Sequence, residues 1–418
     1  MSKFELRKDI SIKIEIINNV NIITMNDPLA LNLSNVIVPI HLLEFIKSLI
    51  NGIEIKDLNQ VVIDLSLNEN EINNVLFNLD KYCLLENSKV VKLRNAIIEF
   101  QKLEIRPNVC QGNLYSSNSE VFINEIKQIV DINKNDIIGE FVKKNKKQEI
   151  NLIFAPHIDF NIGLNSLEAY SSAFSHLEYL DYDLVVLLGT AHYKNSGYFM
   201  LTDKEYQTPL NNLSIDKELV SQIISDYKNL FINNTIVNES AILIDNLAHK
   251  DEHSIELHAI FVSYFDFIKN EDKSSNIKIL PIMTGSVEGN NMDHTTYNQA
   301  LEIIKTNIFK KYKKVLFLCS GDLSHIGQKF NDKYDALDEV KNLKQFEYNL
   351  IQLIERYEID SFYNYLNENN KKWKVCGFAP FYAGMKLADK TKGNILNHSI
   401  WYERPKKSLV SFMSMIFE

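Results

Sequence analysis

Short apolar runs in the second half of the chain alternate with longer stretches of helical periodicity. The run at 152–155 has the length of a buried strand, and Pro156 ends it because proline has no N–H to donate to a sheet. Three more buried strands are predicted by similar apolar runs, at 183–188, 277–283 and 315–319. Strands that alternate with helices predict an α/β fold, a layered sheet with flanking helices.

Apolar residues also recur at helical spacing, which predicts helices at 164–180, 248–268, 297–312 and 378–387. In the helix predicted at 248–268, Asp251 and Glu252 are acidic residues that suit a helix N-terminus. The spacing of His253 and Glu256 places these two residues on one helical face. Two stretches at the end of the chain predict an antiparallel pair of strands, at 394–402 and 409–417.

Residues 1–105 have a different pattern and predict a small separate domain that precedes a main domain at 106–418. The Ile-rich stretch at 10–23 predicts a hairpin around Asn18 and Asn19. The remaining stretches predict helices at 39–50, 53–63, 72–79 and 90–100, and a small turn-bearing hairpin at 84–89. Three short helices with a small hairpin resemble a winged-helix module.

The charge of the third predicted helix distinguishes two uses of this module. The helix carries Glu69, Glu71 and Asp80 against Lys81. A helix that reads DNA normally carries basic residues. We therefore favour a module that docks a protein or peptide over one that binds DNA.

The composition narrows the class of protein. The 418 residues are 45% hydrophobic and 24% charged, as in ordinary soluble globular proteins, and the net charge of −9 disfavours generic nucleic-acid binding. No apolar run approaches the roughly 20 residues of a membrane-spanning helix, and the N-terminal sequence does not resemble a signal peptide. The cysteines lie far apart without a CxxC pair, at Cys83, Cys110, Cys319 and Cys376. We expect a cytoplasmic protein without nucleic-acid or membrane partners.

Polar side chains follow three of the four predicted strands. His157 follows the first strand, His192 follows the second, and Asp322 and His325 follow the fourth. Open α/β sheets bind ligands at the carboxyl ends of their strands, so these side chains are candidates for a functional site. Cys376 lies just before a predicted helix, where a thiolate is stabilised by the exposed N–H groups.

His157, His192 and Cys376 are the candidate metal ligands. Two imidazoles and a thiolate can bind Fe, Zn or Cu, and three protein ligands leave open positions for water, O₂ or substrate. The alternative is that the histidines are ordinary loop residues and that Cys376 is a small buried apolar residue. Asp322 and His325 are equally compatible with an acid–base pair and with a hydrogen-bonded loop.

Five ordered blocks carry a resemblance to one family: Ala-Pro-His157-Ile-Asp, Gly-Thr-Ala-His192, the stretch from Leu247 to Glu256, Ser-Gly-Asp322-Leu-Ser-His325-Ile-Gly, and Cys376-Gly. Together they resemble the Memo family, and more closely its AmmeMemoRadiSam system protein B branch. The resemblance spans residues 106–418. The N-terminal domain resembles the PqqD-like winged helix that long members of this branch carry.

This resemblance implies a fold similar to the class III extradiol dioxygenases, which hold non-haem iron on two histidines and a carboxylate. Memo proteins carry a cysteine in place of the carboxylate and bind iron or copper. The resemblance thus assigns the metal to His157, His192 and Cys376, with Fe(II) as the expected metal and Cu or Zn as alternatives. It also implies an AMMECR-type protein and a radical SAM enzyme as partners.

The resemblance also implies roles for the remaining site residues. His325, oriented by Asp322, would transfer protons, and Glu252 and His253 would line the pocket. The sequence departs from shorter members in two places. Ile-Asp-Phe follows His157 in place of Ala-Gly-Tyr, and Ala379 stands where those members carry a histidine. Substrate contacts therefore cannot be transferred at these positions.

Two functions remain compatible with the sequence. The first is a metal-dependent oxidoreductase that acts on an unknown small molecule or peptide. The second is a non-catalytic adaptor whose pocket binds a peptide or a modified residue. Cys376 distinguishes them, because a pure binding pocket has no need of an oxidisable thiolate beside two imidazoles.

We predict that the N-terminal domain does not bind duplex DNA, because its third helix is acidic and no basic stripe accompanies it. A fragment comprising residues 1–105 can be titrated against random duplex DNA at low salt. Micromolar binding that weakens steeply as salt is added would contradict the docking assignment.

Overall fold

The computed structural model describes residues 3–17, 20–29, 31, 36–134, 150–179, 181–232, 240–270, 277–289, 292–390 and 392–417. The chain divides into two compact units, Met1–Leu103 and Glu104–Glu418, and each has its own hydrophobic core. The boundary expected from the sequence, between residues 105 and 106, lies two residues beyond this division.

The N-terminal unit contains a three-stranded antiparallel sheet in the order β2-β3-β4 and a short β1-β5 pair. Its strands are β1 (Lys3–Phe4), β2 (Ser11–Ile17), β3 (Val20–Asn26), β4 (Val36–Pro39) and β5 (Ile53–Glu54). Its helices are α1 (Leu43–Asn51), α2 (Leu58–Asp64), α3 (Glu69–Lys81) and α4 (Ser88–Lys102). The predicted first hairpin is the β2-β3 pair, whose turn residues Asn18 and Asn19 lie outside the described residues.

The predicted hairpin at 84–89 is wrong. Leu85 instead forms an isolated antiparallel bridge with Leu6, at the other end of the unit's sequence. The side chain of Asn87 accepts the N–H of Val90 at 2.9 Å and so caps α4, which begins at Ser88. The polar residues that suggested a turn are therefore a helix cap. This hairpin was one of the features that suggested a winged helix, and the winged-helix assignment stays a prediction without it.

The second unit is built on a mixed sheet of nine strands within the described residues, in the order β12-β9-β13-β8-β14-β7-β17-β15, with β16 paired to β17. Its strands before the last helix are β6 (Ile105–Arg106), β7 (Leu152–Ala155), β8 (Leu184–Thr190), β9 (Phe199–Leu201), β10 (Glu205–Gln207), β11 (Asn212–Leu213), β12 (Ile242–Ile244), β13 (Lys278–Thr284), β14 (Val315–Ser320) and β15 (His325–Gly327). The last two are β16 (Gly393–Glu403) and β17 (Ser408–Phe417).

The four predicted central strands are confirmed as β7, β8, β13 and β14, which run parallel to their neighbours within this group. Apolar residues predominate along them because these strands are almost entirely buried. The predicted antiparallel pair at the end of the chain is confirmed as β16 and β17. Strands β6, β10 and β11 form a separate small sheet.

Helices flank this sheet: α5 (Ser119–Asp131), α6 (Leu164–Phe174), α7 (Lys217–Ile232), α8 (Asn246–Lys250), α9 (Glu256–Asn270), α10 (His294–Lys311), α11 (Val340–Glu355), α12 (Ile359–Trp373) and α13 (Phe378–Ala388). The mixed α/β architecture expected from the sequence is confirmed. Among the described helices, none combines the length and the apolar character needed to cross a bilayer.

The predicted continuous helix at 248–268 is wrong at its start. The structure has α8 and α9 in this region, and residues 251–255 between them are not helical. The carboxylate of Glu252 accepts the N–H groups of His253 and Ser254, at 3.0 and 3.2 Å, and these bonds replace the helical ones. His253 and Glu256 therefore do not share a helical face.

A buried ion pair between Arg106 and Glu256 holds the segment between α8 and α9. The guanidinium Nη1 lies 2.5 Å from Glu256 Oε2, and both side chains are almost fully buried. Arg106 also donates to the carbonyl oxygens of His249 and Glu252, at 2.6 Å each. Glu256 in turn accepts the N–H groups of Val109 and Cys110 and the hydroxyl of Tyr115.

We predict that Arg106→Met lowers the free energy of unfolding of the second unit by about 3–5 kcal/mol, because it leaves the Glu256 carboxylate buried without its counter-ion. Lys217→Met is the matched control. It breaks the pair of Lys217 with Glu104, whose side chains are 50% and 81% exposed, and should cost only about 0–1 kcal/mol. Urea unfolding measures the free energy of unfolding of both variants. Equal losses of stability would contradict the role assigned to the buried ion pair of Arg106 and Glu256.

Candidate metal centre

Three adjacent parallel strands bring polar side chains to one edge of the main sheet. The pairing of β7, β14 and β8 aligns residues near the end of each strand, namely Ala155, Ser320 and Gly189. His157 and Asp322 follow at once along the chain, and His192 follows β8. Asp322 Oδ1 accepts the backbone N–H of His157 at 3.1 Å, and Oδ2 lies 3.8 Å from its ring Nε2.

Cys376 reaches this edge because two glycines let two backbone segments touch. A Cβ atom on Gly321 would lie 2.3 Å from the Cα of Gly377, so a side chain here would force the segments apart. The N–H of Gly377 donates to the carbonyl of Asp322 at 2.9 Å, and the Asp322 N–H contacts Cys376 Sγ at 3.1 Å. The hydroxyl of Thr190 donates to the carbonyl of Cys376 at 2.8 Å.

Three imidazole rings lie together at this edge. The ring centroids of His157, His192 and His253 are 5.0–5.1 Å apart, and one ring nitrogen from each lies within 4.8 Å of the others. A second group of potential ligands consists of His157, Asp322 and Cys376. In this group Cys376 Sγ is 3.3 Å from His157 Nε2. His157 belongs to both groups.

The ligand set expected from the sequence is divided between these two groups. Among the described residues, His157 accompanies both His192 and Cys376, but no group contains His192 together with Cys376. His253, which was expected to line the pocket, lies beside the other two rings. The geometry therefore offers two candidates for a third ligand, Cys376 and His253.

Glu252, also expected to line the pocket, is a fully buried carboxylate that orients two of the rings. Its Oε1 lies 2.9 Å from Nδ1 of His192 and 3.2 Å from Nδ1 of His253. Glu252 also accepts the backbone N–H of His192 at 2.8 Å. A carboxylate that holds Nδ1–H fixes the ring and its tautomer, which leaves Nε2 to bind a metal.

Ser320 has the same effect on His157. Its hydroxyl donates to the carbonyl of Ser254 at 2.6 Å, so the bond of 3.1 Å between Ser320 Oγ and His157 Nδ1 must be donated by the ring. Nε2 of His157 then carries the free lone pair, and this is the atom that faces Cys376 Sγ.

The charge states of the buried groups follow from burial and from these contacts. Burial raises the pKa of Glu252, but hydrogen bonds from His192 and His253 outweigh it and hold that pKa well below its usual value. Burial lowers the pKa of His157 well below the ordinary value, and the two neighbouring rings add to this effect. Burial raises the pKa of Asp322 to about 7. Glu252 is therefore the firmly ionised carboxylate of the site.

Asp322 does not orient His325, so this part of the expected acid–base pair is wrong. Nδ1 of His325 donates to the carbonyl oxygens of Leu323 and Lys374, at 3.1 and 3.0 Å, and Asp322 faces His157 instead. The backbone carbonyls already occupy the ring N–H that the carboxylate would need. Burial lowers the pKa of His325 to about 4.

Several supporting residues were not found from the sequence, namely Ser320, Ser254, Thr190 and Arg106. None of them has a spacing typical of a ligand or a catalytic group. Ser320, Ser254 and Thr190 did stand inside the blocks that suggested the site, which is the one signal that the sequence offered for them.

Comparison with known proteins shows what this chain is similar to. A family model described as Memo-like protein matches residues 106–416. A MEMO1 family protein of Aquifex aeolicus is 25% identical over 353 residues, which cover 83% of this chain and 82% of that protein. A MEMO1 family protein of Saccharolobus solfataricus is 26% identical over 285 residues, covering 65% and 84% of the two chains.

We predict that Gly321→Ala exposes the Cys376 thiol, because the new Cβ would push Gly377 away and break the contact between the Asp322 N–H and Sγ. Overpacking should also cost about 1–3 kcal/mol of stability. Gly384→Ala is the matched control, since its Cβ would meet Cys319 Sγ at 2.2 Å.

Alkylation of Cys376 by iodoacetamide, followed by mass spectrometry, measures the exposure. We expect a several-fold faster reaction in Gly321→Ala and an unchanged rate in Gly384→Ala. Equal rates in both variants would show that the contact between the glycines does not hold the thiol in place.

Proposed function

The chain belongs to the Memo-like protein family, and from this premise we propose that its histidine cluster is the metal site of a non-haem metal-dependent oxidoreductase. The motif-based resemblance to the Memo family is confirmed by the family match over residues 106–416. The proposed metal is Fe(II), with Cu or Zn as alternatives. His157 and His192 would be ligands, and the third would be Cys376, as the family resemblance implies, or His253.

This proposal rests on the tautomers of His157 and His192, the two ligands that are the same whichever residue is the third ligand. Nδ1 of His192 is bound to Glu252 and Nδ1 of His157 to Ser320, so the Nε2 atoms are free for a metal. Imidazoles with a thiolate suit mid-to-late first-row metals, and three protein ligands leave coordination positions open. The residues present therefore fit such an ion.

A bound metal would supply open positions at which O₂ and an oxidisable substrate could meet. The chain itself would provide positioning and proton transfer. His325 keeps its Nδ1–H on two backbone carbonyls, so Nε2 is the atom that would take a proton from the substrate. Asp322 would hold the loop of His157 through its N–H. The likeness to class III extradiol dioxygenases that the family resemblance implies favours this reaction class.

We also propose that the N-terminal unit docks a protein partner. The first turn of α3 is acidic, with Glu69 and Glu71, and such a surface suits a basic segment of a protein better than a nucleic acid. An AMMECR-type protein and a radical SAM enzyme are the partners suggested by the family resemblance.

We predict that Cys376→Ser loses most of its metal after anaerobic loading with Fe(II), because a neutral hydroxyl is a poor substitute for a thiolate. Cys319→Ser makes the same change at a buried cysteine of β14 and should keep its metal. His253→Ala tests the alternative third ligand. Metal content per folded protein, measured by elemental analysis, decides between them.

A separate prediction concerns His325→Ala, which should keep its metal and lose O₂ uptake in the presence of a reductant, because a proton carrier is not a ligand. An oxygen electrode measures this uptake. Full metal content in both Cys376→Ser and His253→Ala would contradict the proposed ligand set. It would favour the alternative function, an adaptor that binds a peptide in the same pocket.

A further inference from the structure

An open cavity at the surface, of about 510 Å³, lies between α6, α11 and β16 and shares no lining residue with the histidine cluster. Its volume falls in the range of small-molecule sites, roughly 300–1,000 Å³. Its polar lining includes Asn165, Lys344 and His398. Ile351 and Ile400 supply an apolar surface.

We propose that this cavity binds a small organic anion, a carboxylate or phosphate joined to an apolar chain. Lys344 is an exposed residue at the wall of the cavity, and no ion pair or hydrogen bond engages it in the part of the chain that the structure describes. Among the described residues that line the cavity, none is acidic and could neutralise it. A cation without a counter-ion at the wall of a cavity favours an anionic ligand.

The start of α6 adds a second feature that favours an anion. Asn165 lies in the first turn of this helix, where Gly163 provides no side-chain acceptor and, of the first N–H groups, its carbonyl accepts only that of Ser166, at 3.2 Å, among the described contacts. Helix N-termini attract anions because these N–H groups are unpaired and the helix dipole is positive there.

A buried carboxylate holds the imidazole of the cavity in a fixed position. His398 Nε2 lies 2.7 Å from Oε2 of Glu347, which is fully buried. The other oxygen of Glu347 accepts the hydroxyls of Ser324 and Ser411, so its charge is satisfied inside the protein. Nδ1 of His398 is the ring nitrogen left for a ligand.

The apolar part of the ligand would lie against Ile351 and Ile400. Tyr348 stands beside them with 63% of its surface exposed, although a large aromatic side chain gains from burial. A ligand with a short alkyl chain would cover this ring and the two isoleucines while its charged end meets Lys344.

Calorimetric titration of the full-length protein with octanoate, octyl phosphate and octylamine tests the proposal. We expect saturable binding of at least one anion at one site and no binding of the amine, and the two anions distinguish a carboxylate ligand from a phosphate ligand. Lys344→Gln should weaken this binding roughly tenfold, because it removes a charge-assisted contact. Lys341→Gln, at a lysine that is on the same helix but does not line the cavity, should leave it unchanged.

A second variant, Ile400→Trp, would fill the cavity and should abolish anion binding. Absence of saturable binding for both anions would overturn the proposal, as would equal binding of octylamine or an equal loss in Lys341→Gln. The result is independent of the metal proposal, because Lys344→Gln changes no residue of the histidine cluster and should keep its metal content.

Discussion

A single buried carboxylate imposes the main constraint on the candidate metal centre. Glu252 is fully enclosed, and an ionised group in such surroundings is stable only when donors surround it. Its oxygens accept hydrogen bonds from the ring nitrogens of His192 and His253 and from three backbone N–H groups. The positions of both rings are therefore coupled, and the chain around Glu252 must leave the helical conformation.

The second group of potential ligands in the centre, His157, Asp322 and Cys376, depends on the sheet. Parallel strands end at one level, which brings His157 and Asp322 together, and the contact between Gly321 and Gly377 brings Cys376 to the same edge. The two halves meet at His157, whose ring is the shared member of both groups of potential ligands. A metal bound there would connect the sheet with the segment that carries Glu252.

The sequence predicted the edge of the sheet well, because buried parallel strands are short apolar runs and His157, His192 and Asp322 follow them at once. It could not predict the geometry around Glu252, since the helical spacing of apolar residues continues through 251–255. Local hydrogen bonds from the backbone N–H groups of His253 and Ser254 to the side chain of Glu252 override such periodicity and leave no trace in it. The expected contact between Asp322 and His325 was wrong for a similar reason, because the His325 ring is held by backbone carbonyls that carry no sequence signal.

The most direct test of this account is the affinity of Glu252→Gln for Zn²⁺, a redox-inert probe, measured by competition with a chromophoric chelator. Asp251→Asn is the control, because it makes the same chemical change at the adjacent carboxylate, which is 65% exposed. The account predicts that Glu252→Gln binds Zn²⁺ about 10–100-fold more weakly than the wild-type protein and that Asp251→Asn binds it equally well. Unchanged affinity in a folded Glu252→Gln protein would contradict the claim that this carboxylate orients the metal-binding rings.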